Sequence, residues 1–136
     1  MKKTILGLLV MGLSCAAQAG VVVIGHPQGI DAISADAVKQ LYLGKDQQLA
    51  NGSAAQLFEL SEGSAERVEF HGKTTGRNDA QLQSNWSRLV FTGKAVAPVI
   101  VADSAAMISA VKSQPNAIGY IDEAAVTAEV KVLLKL

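Results

Sequence analysis

Runs and stripes of apolar residues divide the chain into short alternating elements. Val21-Val22-Val23-Ile24 is an unbroken β-branched run, closed by Gly25-His26-Pro27, and predicts a buried strand covered on both faces. Ser34 can cap a helix with Asp36 in its first turn; Val38, Leu41 and Tyr42 form its apolar face and Gly44 ends it. Asn51-Gly52 marks a turn, and residues 54–60 predict a second strand. Ser64 can cap the next helix, with Glu66 near its positive end, and Asn78 or Asp79 can start a third. Leu82, Trp86, Leu89 and Val90 then fall at i, i+4, i+7 and i+8, one helical stripe stopped at Gly93.

The same reading continues to the end. Residues 96–102 predict a strand, and Asp103 or Ser104 caps a helix whose buried face is Met107, Ile108 and Val111, with Pro115 closing it. Residues 117–121 form a short strand, Asp122 caps a single helical turn, and residues 130–136 form a last strand. Strands alternating with helices predict an α/β sandwich on a mostly parallel sheet.

The amino terminus follows a different pattern. Lys2 and Lys3 precede an apolar run from Ile5 to Ala17 and the triplet Ala17-Gln18-Ala19, which together have the form of a secretory signal peptide. Residues 1–19 are therefore expected to be removed after Ala19, leaving residues 20–136 as one domain in a bacterial periplasm. The single cysteine, Cys15, lies inside that signal, so the mature chain carries no disulfide or thiol chemistry. Gly12 stands where a lipoprotein signal would place Leu, which argues against lipidation. Formal net charge is zero for the full chain, and losing Lys2 and Lys3 makes the mature form slightly acidic. Basic residues are scattered apart from a loose group at Arg67, Lys73 and Arg77, so no stripe tracks a phosphate backbone and no nucleic-acid partner is expected.

Three stretches carry a resemblance: Leu41-Tyr42-Leu43-Gly44-Lys45; Trp86-Ser87-Arg88-Leu89-Val90-Phe91-Thr92-Gly93-Lys94 with Pro98; and Pro115-Asn116-Ala117-Ile118-Gly119-Tyr120. In this order they resemble the substrate-binding proteins of phosphate ABC transporters, and more closely a short secreted form built from one lobe. The resemblance implies one lobe of a type 2 periplasmic-binding-protein-like fold, a small-anion ligand with phosphate first among candidates, and a membrane transporter or sensor subunit as partner. It implies no cofactor and no enzymatic activity. The family reads P-G-A-I-G-Y in the third stretch; Asn116 replaces that first Gly and is expected to keep a left-handed turn, while Gly119 admits a close neighbour.

Full-length members of that family bind anion at a helix start through a segment of the form R-x-D-G-S-G-T. The matching residues are Leu60-Ser61-Glu62-Gly63-Ser64-Ala65-Glu66. Gly63 and Ser64 match, whereas the arginine is Leu60, the second glycine is Ala65 and the threonine is Glu66. Ser61, Gly63, Ser64 and, one turn on, Arg67 are thus the candidate ligand-binding residues. The structural alternative makes Ser64 simply an N-cap and Arg67 a solvated side chain. A single lobe presents half a site, so tight capture calls for a homodimer or another partner. The second reading is accordingly an accessory protein of an envelope complex that keeps the fold and has lost the ligand. His26, in the loop after the first strand, is the second candidate contact, because open α/β sheets bind at strand carboxyl ends. His71 is expected at a helix end, and with His26 far away in sequence no two-histidine metal site is predicted. Gly72-Lys73-Thr74 lacks the leading glycine of a phosphate loop, and Gly63-Ser64-Ala65-Glu66 lacks the glycines of a nucleophile elbow.

Overall fold

Five strands and four helices form around the β-branched run at the start of the domain. The structure is a computed structural model and describes residues 20–136; the expected signal peptide lies outside the described residues. The elements are β1 (Val21–Gly25), α1 (Ala35–Tyr42), β2 (Gln56–Leu60), α2 (Ala65–Lys73), α3 (Asp79–Phe91), β3 (Val99–Val101), α4 (Ser104–Lys112), β4 (Ala117–Asp122), a single 3₁₀ turn (Glu123–Ala125) and β5 (Lys131–Lys135).

The sheet order is β3-β2-β4-β1-β5. β2 pairs in parallel with β3 and β4, and β1 pairs antiparallel with β4 and β5. Four strands therefore point one way and β1 alone runs against them. The predominance of one strand direction is as the sequence pattern predicts; the reversed strand is the departure. β1 is enclosed on both edges and both faces, which is why an all-β-branched run suits it. Its start meets the end of the chain, where the Leu136 N–H donates to the Val21 carbonyl at 3.3 Å.

Consecutive residues of β4 separate the two helical layers, since neighbours on a strand face opposite ways. The Tyr120 ring stacks on Phe70 of α2, with centroids 3.9 Å apart. Gly119 faces α4: a Cβ built there would lie 2.5 Å from the Met107 sulfur. This glycine is thus what allows α4 to sit against the sheet. α1 joins α2 through a Tyr42–Phe70 edge contact at 4.8 Å, and α3 is tied to the turn after α1 by Asn85, whose Nδ2 donates to the Leu43 carbonyl at 2.9 Å.

Local signals account for the helix starts. Ser34, Ser64, Asn78 and Asp103 each accept a hydrogen bond from the first turn they precede, and Asn78 forms a reciprocal capping box with Gln81. Asp122 caps the 3₁₀ turn in the same way. Three details differ from the sequence pattern. The strand expected over residues 96–102 forms only over Val99–Val101, because Pro98 has no N–H to give. Val90 completes the α3 stripe in sequence yet is half exposed, because it stands on the wall of an open cleft between α3 and β3. Asn116 does not take a left-handed conformation, and among the described residues every positive φ belongs to glycine. Instead its side-chain Nδ2 donates to the Ala54 carbonyl at 2.7 Å, bracing the turn from outside.

Candidate functional site

β2 and β4 are in register only through Gln56 and Leu57, and past that point side chains take over the backbone groups of β2. Each such group needs a partner when buried. The Tyr42 hydroxyl donates to the Phe58 carbonyl at 2.8 Å, the Leu60 N–H donates to the Tyr120 hydroxyl at 3.1 Å, and Arg67 Nη1 donates to the Leu60 carbonyl at 3.0 Å. The carboxyl end of β2 is consequently a buried polar centre, with Glu59 at its middle.

Glu59 is only 3% exposed. One oxygen, Oε1, accepts from His71 Nε2 at 2.6 Å and from the Tyr120 hydroxyl at 3.0 Å; the other, Oε2, lies 3.5 Å from Arg67 Nη1. His71 Nδ1 sits 2.8 Å from Thr75 Oγ1. With the imidazole proton on Nε2, the Thr75 hydroxyl donates to Nδ1 and its oxygen accepts the Arg77 N–H, so every group is satisfied. Thr75, His71 and Glu59 have the order of a nucleophile–base–orienter set, but all three are buried. They form a scaffold and expose no nucleophile.

The four predicted contact residues lie on one turn and the first turn of α2. The Ser64 N–H donates to the Ser61 carbonyl at 3.1 Å, Gly63 adopts φ 77°, and its N–H donates to Asp79 Oδ2 at 3.0 Å. Ser64 Oγ accepts from the Arg67 N–H. Ser61 and Gly63 are exposed and Ser64 is half-buried.

Arg67 differs from both sequence readings. It is not solvated but buried beneath the turn at 5% exposure, and it lines the cleft between α3 and β3 rather than the helix start. Its Nε donates to Asp79 Oδ1 at 2.8 Å, so one guanidinium serves two carboxylates. Burial by itself lowers the guanidinium pKa; the Glu59 charge and then the Asp79 hydrogen bond outweigh it and leave the pKa raised. Burial, and then the neighbouring Glu59 charge, push the phenol pKa of Tyr120 well above its ordinary value.

A second helix start reaches the same place. The turn into α2 and the start of α4 border a cleft of about 160 Å³ lined by Leu60, Ser64, Glu66, Ala102, Asp103 and Ser104. It lies at the carboxyl ends of β2 and β3, where open α/β sheets hold ligands. Two helix N-termini favour an anion there, whereas the Glu66 and Asp103 carboxylates oppose one. Asp103 is also engaged as the α4 cap, accepting from the Ala106 N–H at 2.8 Å.

The sequence pattern missed the Asp103–Ser104 half of this cleft and the whole Glu59 centre. The signal for Glu59 was present: a carboxylate inside Gln56-Leu57-Phe58-Glu59-Leu60, with a histidine and an arginine one turn apart on the next helix. His26 is excluded from this cleft by topology. β1 runs antiparallel, so the loop after it leaves beside Ile118, at the amino end of β4. There His26 Nδ1 accepts the Gln28 N–H. Among the described residues, no group of three or more metal-binding side chains forms a metal site, and no helix is long and apolar enough to cross a membrane.

No family model matches the chain, and no curated protein matches its sequence. Solved structures match its fold. A phosphate ABC transporter substrate-binding protein from Clostridium perfringens with bound phosphate superposes with a TM-score of 0.67 at 22% identity, over 84% of this chain and 44% of that one. An ABC-type phosphate transport receptor from Vibrio cholerae gives 0.66 at 15% identity, over 84% and 45%. PstS from Borrelia burgdorferi gives 0.56 at 13% identity, over 84% and 46%. This chain thus spans less than half the length of these neighbours and has the fold of one lobe.

Proposed function

We propose that this protein is a solute-binding module of the periplasmic-binding-protein type, holding a small oxyanion, phosphate first among candidates, between the starts of α2 and α4. Its place is the periplasm and its partner a membrane transporter or sensor subunit; it is a carrier and not an enzyme. The observation that carries this reading is the convergence of two helix N-termini, with Ser64 and Ser104, on one cleft at the strand carboxyl ends. The phosphate-binding neighbours of the same fold support it.

Arg67 does not supply the cation, so the expected affinity is modest and depends on backbone N–H groups and hydroxyls. Calorimetric titration of the purified protein with phosphate, sulfate and small carboxylates at low salt tests the reading. Saturable binding of an oxyanion is expected. Removing the opposing charge with Glu66→Gln should tighten it by about three- to tenfold, as removing one unit charge about 4 Å away does when water screens the pair. The alternative is an accessory protein that keeps the fold without the ligand. It is favoured by the ion pairs of Arg67 with Glu59 and Asp79. No binding of any oxyanion by either the wild type or Glu66→Gln would establish that alternative in place of the first.

A further inference from the structure

β3 is a sheet edge with one side unpaired, guarded only by its three-residue length and by Pro98 at its entry. Natural edges are guarded by charges, prolines or bulges. From Ala95 to Ala102 the chain has no charged residue, and Pro98 stands only at the strand's entry. Val96 is 83% exposed, and Val99 and Ile100 are about half exposed. At the end of α3, beside this edge, Val90 is half exposed and Phe91 is 92% exposed. Val90, Val99 and Ile100 therefore stand half exposed at this edge, with Val96 three residues before the strand and Phe91 at the end of α3. Between α3 and β3 opens a cleft of about 300 Å³, walled by Leu82, Trp86, Val90, Pro98 and Ile100, with Glu59 and Arg67 among its lining. It is ample for an aromatic side chain.

We propose that this face binds the same face of a second copy of the chain: two β3 edges align antiparallel about a two-fold axis, and Phe91 of each copy fills the other's cleft. A knob and a hole on one surface are what an isologous interface needs, because each residue contacts its counterpart's neighbour. Residues 20–136 carry ten basic and twelve acidic side chains, so long-range repulsion between copies is weak. The exposed area of the five side chains is on the order of 500 Å² per copy, which brings a pair to about 1,000 Å², the lower bound of a specific interface. The pairing would join two sheets into one ten-stranded sheet. It rests on other residues than Ser64 and Ser104 and so stands independently of the oxyanion reading.

Sedimentation velocity of the purified protein from low to high micromolar concentration reads the association. A reversible dimer is expected, and Phe91→Asp should weaken it by about a hundredfold, the effect of losing a central aromatic anchor, with an unchanged melting temperature. In residues 20–136, which carry no native cysteine, mild oxidation should link Ile100→Cys chains into disulfide dimers. Val68→Cys, equally exposed on α2 but away from this face, should stay unlinked. A wild type that stays monomeric throughout, a Phe91→Asp dimer as strong as the wild type, or equal linking of the two cysteine variants would overturn the proposal.

Discussion

Arg67 and Glu59 decide how the candidate site should be mutated. An arginine near a serine-rich helix start invites removal as a test of anion binding. Here that experiment reads stability instead, because Arg67→Met strands a carboxylate that is 3% exposed. Breaking a buried pair from one side costs about 3–5 kcal/mol, so Arg67→Met should lower the urea midpoint strongly. Glu59→Gln keeps an acceptor for His71 and Tyr120 while removing the charge. Adding it to Arg67→Met should recover a sizeable part of the loss. Denaturation of the single and double variants checks this; strictly additive losses would mean that the two side chains do not act as a pair. None of this was legible from charge pattern alone, because an arginine's exposure depends on which carboxylates the fold brings beneath it. Asp79, twelve residues along the chain from Arg67, reaches it only once α3 has packed.

At the scale of elements, the helix starts and the predominant strand direction were readable, and the reversal of β1 was not. Ser34, Ser64, Asn78, Asp103 and Asp122 act on N–H groups two or three residues away, so their role is written locally. The reversal of β1 depends on which strands flank it, and the β-branched run that signals burial is silent on direction. Asn116 shows the same limit: its position at a turn was readable, but its amide found the Ala54 carbonyl, a partner distant in sequence. Gly119 was readable as a close approach without its partner. Since an added methyl would meet the Met107 sulfur at 2.5 Å, Gly119→Ala should cost about 1–3 kcal/mol through overpacking of α4 on β4. Met107→Ala placed in that background should cost far less than it does alone. Thermal melts of the four chains in this cycle would show the coupling, and its absence would place the strain elsewhere.

For the whole molecule, the two tyrosines tie stability to alkaline pH. They are the only tyrosines in the chain, and both are fully buried. Burial, and then the Glu59 charge, hold both phenol pKa values well above the ordinary value. The folded chain thus keeps two protons that the unfolded chain releases above about pH 10. Above that pH the unfolded state binds fewer protons, so stability falls as pH rises, while below it the contribution is fully present. Tyrosinate absorbance should appear together with loss of far-ultraviolet ellipticity, in one cooperative alkaline transition. Tyrosinate forming near pH 10 with the fold intact would contradict the burial of these hydroxyls.

The hydrogen bond between Leu136 and Val21 has a topological consequence. Because the first and last strands of the domain lie side by side, the backbone is already almost a ring. A few flexible residues bridging Leu136 to Gly20 would close it without moving a strand. The chain could then be opened elsewhere, and the exposed Asn51-Gly52 turn, where nothing crowds Gly52, is the natural place. Such a permutant should fold to the same sheet, carrying new ends between α1 and β2. The lobe is in this sense portable: both of its ends leave from one spot, so a host chain could enter and exit there and leave the sheet between them unbroken.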